Sequence, residues 1–154
     1  QTALVALFEI HHDSIQLRLR LLPSKHQGLE IVNFIDRDRD NAFSDAELNQ
    51  FGQTVLNTVL LSVGGTVLEL KDVKVSTDLP EWLSQGYGQI RIKAKADHAI
   101  AQATPTRLEF LIHFDEFAQD WLIQPYFATS LLARDQDPKL QRSAAGVSIV
   151  FVAQ

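Results

Sequence analysis

Apolar and polar residues alternate along several short segments of the chain, which is the pattern of half-buried β-strands. The clearest segment is residues 89–96, where apolar residues at the even positions alternate with Arg91, Lys93 and Lys95. We interpret this basic row as a solvated strand face that could also contact an acidic partner. Residues 107–114 alternate in the same way, and two more strands are predicted at residues 121–126 and 146–152.

The N-terminal part of the chain predicts a β-hairpin. Residues 3–10 are apolar at nearly every position, and after a polar turn at residues 11–13 apolar residues occupy every second position over residues 15–21. A later alternating segment slips by one position at Lys71 and Asp72. A slip of one residue reverses the facing of the residues that follow, so we predict a β-bulge there.

Two segments carry apolar residues at helical spacing instead. They are residues 24–35 and residues 45–60, and the second of them has its apolar stripe at positions such as Leu48, Phe51 and Val55. This spacing predicts two amphipathic helices separated by a polar loop.

Together these elements predict an α+β fold, which is a mainly antiparallel β-sandwich of about seven strands. The helix-loop-helix is inserted after the first hairpin, at about residues 24–61. At 154 residues, the chain is long enough to bury a substantial core as a single domain, residues 1–154. The large aromatic residues expected mainly in that core are Trp82, Trp121, Tyr87 and Tyr126.

The loop between the two predicted helices, residues 36–47, has the oxygen spacing of an EF-hand calcium loop. Carboxylates occupy its first, third and fifth positions, a hydroxyl the ninth and a glutamate the twelfth. Calcium takes about six to eight oxygen ligands on flexible loops, whereas magnesium demands a stricter geometry, so calcium is favoured. The predicted ligands of one Ca²⁺ ion per chain are Asp36, Asp38, Asp40, Ala42 through its carbonyl, Ser44 and Glu47.

A simpler explanation covers part of this loop. Ser44 and Glu47 also form a capping box, so helix initiation alone would account for both. It does not account for Asp36, Asp38 and Asp40, whose carboxylates repel one another unless a cation joins them. At the sixth loop position, where glycine is usual, the chain has Asn41. Asparagine tolerates the left-handed backbone region, so we expect this replacement to weaken ion binding modestly.

Composition excludes several classes of function. A formal net charge of −5 argues against nucleic-acid binding, which requires a basic face. The absence of cysteine excludes disulfides and thiolate metal sites, and the sequence has no G-x-S-x-G motif, so no enzyme activity is predicted. The chain begins without methionine, which we interpret as removal of an export signal, and we expect a periplasmic or extracellular location. No apolar run approaches the roughly 20 residues of a membrane helix.

Four segments carry a resemblance to a known family. They are Leu-Arg-Leu-Arg-Leu-Leu at residues 17–22, Asp-Arg-Asp-Arg-Asp at 36–40, Ser-Asp-Ala-Glu-Leu at 44–48 and Val-Gly-Gly-Thr-Val at 63–67. Over roughly residues 15–70 the chain resembles the extracytoplasmic N-terminal region of HupE/UreJ-type membrane proteins. The resemblance implies a periplasmic module that can be tethered to a membrane. Because these residues include no membrane helices, the nickel-transport role of that family is not carried over.

The function predicted from these features is that of a non-enzymatic, exported calcium-binding domain. Sensor EF-hands usually occur in pairs, so a lone loop indicates a structural ion, and the sandwich surface is expected to bind another protein or an envelope component. Two alternatives remain open. One is a nickel- or copper-handling accessory module that presents His11, His12 and His26. The other is a calcium-dependent carbohydrate-binding module with a concave aromatic groove near Trp82 or Trp121.

Overall fold

The computed structural model describes residues 2–117 and 121–154, which form a mixed α+β structure. In chain order the elements are β1 (Ala3–Ile10), β2 (Ser14–Leu22), α1 (Gly28–Ile35), α2 (Asp45–Leu56), β3 (Val59–Val63), β4 (Thr66–Val67), β5 (Lys71–Thr77), α3 (Pro80–Ser84), β6 (Ile90–Asp97), β7 (Pro105–Ile112), β8 (Trp121–Phe127), β9 (Lys139–Arg142) and β10 (Gly146–Val152).

The strands form two five-stranded sheets in a sandwich-like arrangement. Sheet A has the order β5-β6-β2-β1-β8 and sheet B has the order β4-β3-β7-β10-β9. Within the described residues, every strand pair is antiparallel except β1 with β8. The core lies between the sheets, where Phe8 of β1 stacks on Phe110 of β7 with ring centroids 5.1 Å apart. Alternate residues of the central strands are buried, as the sequence pattern predicts.

The predicted number of strands, about seven, is too low, since the described part of the chain has ten. The strands β4 and β9 have two and four residues, and all six are exposed. Strands that short and that exposed show no alternation of apolar and polar residues, so the pattern could not reveal them. The remaining strand, β3, begins at Val59, inside the segment predicted to be helical.

The predicted helical boundaries are wrong at two points. The first helix begins at Gly28 rather than at residue 24, and the second ends at Leu56 rather than at residue 60. The chain leaves α2 through Thr58, whose hydroxyl donates to the Val55 carbonyl, and enters β3. The two helices of the insertion therefore span residues 28–56 instead of about 24–61. No helix in residues 2–117 or 121–154 is long and apolar enough to cross a membrane.

Two predictions about the strands are confirmed. The first hairpin pairs β1 with β2 in continuous register from Ala3 opposite Leu22 to Ile10 opposite Ile15. The predicted bulge appears as a register shift in β5 after Lys71, where Asp72 adopts a φ of 55°.

The helices are docked by close backbone approach and by a cluster of phenylalanine rings. A Cβ atom added to Gly52 of α2 would lie 2.6 Å from the Val75 side chain, so this helix sits directly on the inner side of β5. Phe34 near the end of α1 and Phe51 in the middle of α2 pack with their ring centroids 5.9 Å apart, and both rings also pack against Phe114. The two helices are therefore joined to each other and to Phe114 by hydrophobic contacts.

Candidate metal centre

The loop begins where α1 ends. Asp36 is the C-cap of this helix, its N–H donates to the Val32 carbonyl at 2.8 Å, and the residue is only 2% exposed. The preceding residue, Ile35, lies in the core. The first carboxylate of the loop is therefore fixed in place by the packing of the helix that leads into it.

The loop closes with a complete capping box at the start of α2. The Ser44 hydroxyl accepts the N–H of Glu47 at 3.1 Å, and the Ser44 N–H donates to Glu47 Oε1 at 2.9 Å. The capping interpretation of these two residues is therefore correct as far as it goes. Because the Ser44 hydroxyl already caps α2, its coordination of an ion stays a prediction. Coordination by the Ala42 carbonyl also stays a prediction.

Between these ends, the carboxylates fold the loop around themselves. Asp36 accepts the N–H of Asp40 at 3.3 Å and that of Asn41 at 2.9 Å, one on each oxygen. Asp38 accepts the N–H of Asp40 at 3.2 Å, and Asp40 accepts the N–H of Ala42 at 3.0 Å. Each aspartate thus accepts a backbone hydrogen bond from further along the loop, which turns the chain inward.

Two loop residues have left-handed backbone conformations. Asn41 has a φ of 63°, which is the conformation expected at the position that glycine usually occupies. Arg39 has a φ of 56°, a conformation that an arginine at this position did not predict. The backbone therefore makes the turn without glycine, at the cost of some strain at both residues.

The result is a convergence of four carboxylates. Asp36, Asp38, Asp40 and Glu47 each offer one oxygen, and these oxygens all lie within 4.8 Å of one another. This group could hold a metal ion. It is the one group of three or more histidine or acidic side chains with such spacing in residues 2–117 and 121–154.

The protonation of this cluster reflects its crowding. The pKa of Asp38 is raised from 3.8 to about 6, first by a hydrogen bond shared with the Asp36 carboxylate and further by the charge of Asp40. Like-charged carboxylates that cannot separate retain a proton, and a cation among them would relieve the same repulsion.

Glu47 behaves in the opposite way. Its pKa is lowered, first by the Ser44 N–H and further by the N–H groups of Asp38 and Arg37. Oε2 accepts from Arg37 at 2.6 Å and from Asp38 at 3.4 Å, while Oε1 accepts only from Ser44. Since a carboxylate oxygen has two lone pairs, Oε1 can bind an ion directly, whereas bidentate coordination would require Oε2 to release a backbone partner.

The histidines of the alternative nickel or copper site are not brought together. His11 and His12 lie on the turn between β1 and β2, and His26 lies beyond the far end of β2. Nine strand residues separate the two places, which is roughly 30 Å at about 3.4 Å per residue. His11 Nε2 lies 2.7 Å from Glu9 Oε1, a contact rather than a well-directed hydrogen bond, and His12 Nε2 lies 3.1 Å from the Gln154 carbonyl.

The prediction that the large aromatic residues lie mainly in the core is wrong for three of the four. Trp121 is buried and its indole N–H donates to the Phe114 carbonyl at 3.2 Å. Trp82, Tyr87 and Tyr126 are each more than half exposed. The physical reason at Trp82 is that α3 is barely more than one turn long and buries only Leu83. Trp82 lines an open depression of about 590 Å³ together with Glu81, Gln85 and Tyr87, near the place where the carbohydrate-binding alternative expects an aromatic groove.

No protein-family model matches this chain, and no curated protein matches it significantly.

Proposed function

We propose that this chain is a non-enzymatic, exported calcium-binding domain in which one structural Ca²⁺ ion joins the two inserted helices to the β-sandwich. The observation that carries the proposal is the convergence of Asp36, Asp38, Asp40 and Glu47. Calcium binds oxygen at about 2.3 to 2.6 Å, so two oxygens on one ion can be at most about 5 Å apart. Oxygens that all lie within 4.8 Å of one another meet this condition.

The stabilisation that such an ion provides follows from mass action. An ion that binds only the folded chain contributes RT ln(1 + [L]/Kd), about 2.7 kcal/mol at a hundredfold excess over Kd. In a calcium-rich compartment this gain would reinforce the hydrogen bonds that already close the loop. The ion is structural in this proposal because the described residues hold a single group of this kind, whereas sensor EF-hands usually occur in pairs.

The experiment is calorimetric titration of Ca²⁺ into protein stripped with chelator, with Mg²⁺ and Ni²⁺ in parallel titrations and thermal melting followed in each. We expect one calcium per chain, weaker magnesium binding and a melting temperature that rises with calcium. In the variant Glu47→Ala, the calcium-dependent part of the rise should be mostly lost. The readout is the difference between calcium and chelator within one variant, so the cap that Glu47→Ala also removes cancels.

The matched control is Asp45→Ala, which removes an exposed carboxylate from the same segment outside the convergent group. It should leave the calcium-dependent rise intact. A full rise in Glu47→Ala, or an equal loss in Asp45→Ala, would show that the site is misassigned. Tighter binding of nickel than of calcium would favour the metal-handling alternative.

The location and partners belong to the same proposal. The resemblance to the extracytoplasmic region of HupE/UreJ-type proteins supports a periplasmic or extracellular domain that can be tethered to a membrane. The sandwich would then present its surfaces to another protein or to a component of the envelope.

A calcium-dependent carbohydrate-binding module is a second candidate, and one observation favours it. Trp82 and Tyr87 flank an open depression, with exposed fractions of 55% and 66%. The chain turns sharply at this site, because Gly86 and Gly88 on either side of Tyr87 have φ values of 85° and 87°. Exposed aromatic faces can stack on sugar rings while Glu81 and Gln85 bond to hydroxyl groups.

This candidate is tested by Trp82 fluorescence during titration with soluble oligosaccharides, in calcium and in chelator. Trp121 is buried and supplies a constant background, so a change should disappear in Trp82→Phe if it arises at the depression. Tyr126→Phe, at an exposed tyrosine outside the depression, is the matched control. A panel of neutral and acidic oligosaccharides that leaves the fluorescence unchanged would remove this candidate.

A further inference from the structure

The outer face of sheet A concentrates basic side chains in a regular array. In the strand register, Arg18 of β2 stands opposite Lys93 of β6, and Lys93 stands opposite Lys74 of β5. In the neighbouring row, Arg20 stands opposite Arg91. The six residues that we call the basic face are Arg18, Arg20, Lys74, Arg91, Lys93 and Lys95.

These opposed basic residues lower the stability of the folded chain unless something offsets their repulsion. Like charges directly opposite each other on neighbouring strands are destabilising. Asp72, Asp78 and Asp97 partly compensate at the rim, where they lie within 4.0 Å of Lys95 or Arg91. At the centre, none of Arg18, Arg20, Lys74 and Lys93 has a carboxylate within 4.0 Å in the described residues 2–117 and 121–154.

Protection of a sheet edge does not explain the basic face. Lysine on an edge strand prevents unwanted strand pairing, but β2 and β6 are both interior strands of sheet A. Nor does the overall charge explain it, because the chain is acidic, with a net charge of −5. Positive charge is therefore concentrated on this one face of a chain whose net charge is negative.

The other half of the same sheet face is mainly apolar, although Glu9 of β1 and Gln124 of β8 also lie on it. The two basic rows continue across β1 as Val5, which is opposite Arg20, and Leu7, which is opposite Arg18. On β8, Leu122 lies beside Val5 and is 55% exposed, and Tyr126 is 53% exposed. Basic and apolar side chains therefore point outward together from one continuous sheet surface.

We propose that this outer face of sheet A docks onto a lipid surface that contains anionic phospholipids. The basic face would contact the headgroup phosphates, and Leu122 and Tyr126 would enter the interfacial region, where tyrosine is favoured. This proposal deepens the envelope-binding part of the proposed function and does not depend on the ion.

Two observations favour a lipid surface over an acidic protein. Lysine is depleted at protein interfaces, whereas half of the basic face is lysine, and lysine and arginine contribute similarly at an anionic bilayer. The depressions around Arg18 are small and open, at about 170 to 300 Å³, so the face offers a shallow array rather than a pocket for one side chain.

The basic face is separate from the metal centre. The helix α2 covers β5 through Gly52, which lies against Val73 and Val75 on the side of the strand opposite to Lys74. Ion binding and lipid binding can therefore be tested independently in the same protein.

The experiment is co-sedimentation of the protein with vesicles of equal parts phosphatidylcholine and phosphatidylglycerol, or of phosphatidylcholine alone, in chelator and at low salt. We expect binding only to the anionic vesicles, and we expect it to weaken steeply as salt is added. Each basic residue near such a surface strengthens binding roughly fivefold, so the double variant Arg18→Glu with Lys93→Glu should lower the apparent affinity by more than about 25-fold.

The matched control is Arg134→Glu with Lys139→Glu, which makes the same change of net charge at exposed positions outside sheet A. Its binding should fall far less. Equal loss in both double variants, or equal binding to neutral and anionic vesicles, would overturn the proposal. So would capture of the protein by immobilised polyglutamate without binding to vesicles, which would assign the face to an acidic polypeptide. Because the assay contains chelator, a negative result leaves the calcium proposal standing, and a protein that binds vesicles but not calcium refutes only the ion site.

Discussion

The acidic loop at residues 36–47 and the basic face of sheet A both crowd like charges, but with opposite geometry. In the loop, four carboxylates converge until their oxygens lie within 4.8 Å of one another. On the sheet, the basic side chains project side by side from neighbouring strands about 4.8 Å apart, and the sheet itself keeps them from meeting at a point. Convergent charge suits a single small ion, whereas a flat array suits an extended surface of opposite charge.

The two regions also differ in what the chain supplies to offset the repulsion. The loop turns backbone N–H groups onto its carboxylates, so Asp36 and Glu47 are largely satisfied by the protein itself. The side chains of the basic face have carboxylate partners only at its rim. The loop should therefore lose stability when Asp36 or Glu47 is removed, and the face should gain stability when a central cation is removed.

The largest expected effect is at Asp36. In Asp36→Ala, the Asn41 N–H loses its acceptor and the Asp40 N–H keeps only its bond to Asp38. Because Asp36 is nearly buried, we expect the free energy of unfolding to fall by about 2 kcal/mol even in chelator. The calcium-dependent gain should also disappear. Urea unfolding with calcium and with chelator measures both effects.

The control for Asp36 is Asp38→Ala, which removes an exposed carboxylate from the same convergent group. Its stability in chelator should change little, since the repulsion it relieves offsets the single hydrogen bond it loses. Its calcium-dependent gain should be lost as in Asp36→Ala. Equal losses of the two variants in chelator would contradict the view that Asp36 folds the loop while Asp38 mainly serves the ion.

A smaller and opposite effect is expected on the sheet. Lys93 stands between Arg18 and Lys74, so Lys93→Gln removes two like-charge contacts and should raise the free energy of unfolding by about 0.5 to 1 kcal/mol at low salt. The gain should shrink as salt screens the charges. Lys95→Gln is the control, because Lys95 lies 3.7 Å from Asp97 and 3.9 Å from Asp72 and should show no gain. A destabilised Lys93→Gln would mean that the face has no internal repulsion to relieve.

The same contrast shows why some of the fold was predictable from sequence. Strands β2, β6 and β7 alternate strongly, so burial on one face fixes both their existence and their facing. The end of α2 was not predictable in this way. Val59 continues the helical spacing from Val55 and also starts the alternation with Leu61 and Val63, and only the pairing of β3 with β7 decides between them.

The two charged regions differ in predictability for a similar reason. All ligands of the proposed ion lie within twelve consecutive residues, so the local sequence is enough to bring the carboxylates together. The basic face joins Arg18 and Lys93, which are far apart in the chain, and only the β2 and β6 register makes them neighbours. The sequence showed the row on β6 and could not show the residues beside it.

The smallest effect distinguishes two aspartates by the direction in which their pKa moves. Asp38 has its pKa raised to about 6, first by the hydrogen bond with Asp36, while Asp97 at the rim of the basic face has its pKa lowered by its hydrogen bond with Lys71. A raised pKa means that the folded chain holds the proton more tightly than the unfolded chain does. In chelator, stability from Asp38 should therefore increase as the pH falls from 7 through 6 toward 3.8. The contribution of Asp97 to stability has the opposite sign: it is present above pH 3.8 and is lost on acidification below it.

Carboxyl NMR titrations of both residues measure these pKa values directly, and calcium should move the Asp38 transition to lower pH while leaving that of Asp97 in place. An Asp38 that titrates near 3.8 in chelator would show that the loop carboxylates are too far apart in solution to share a proton, and would weaken the case that they converge on one ion.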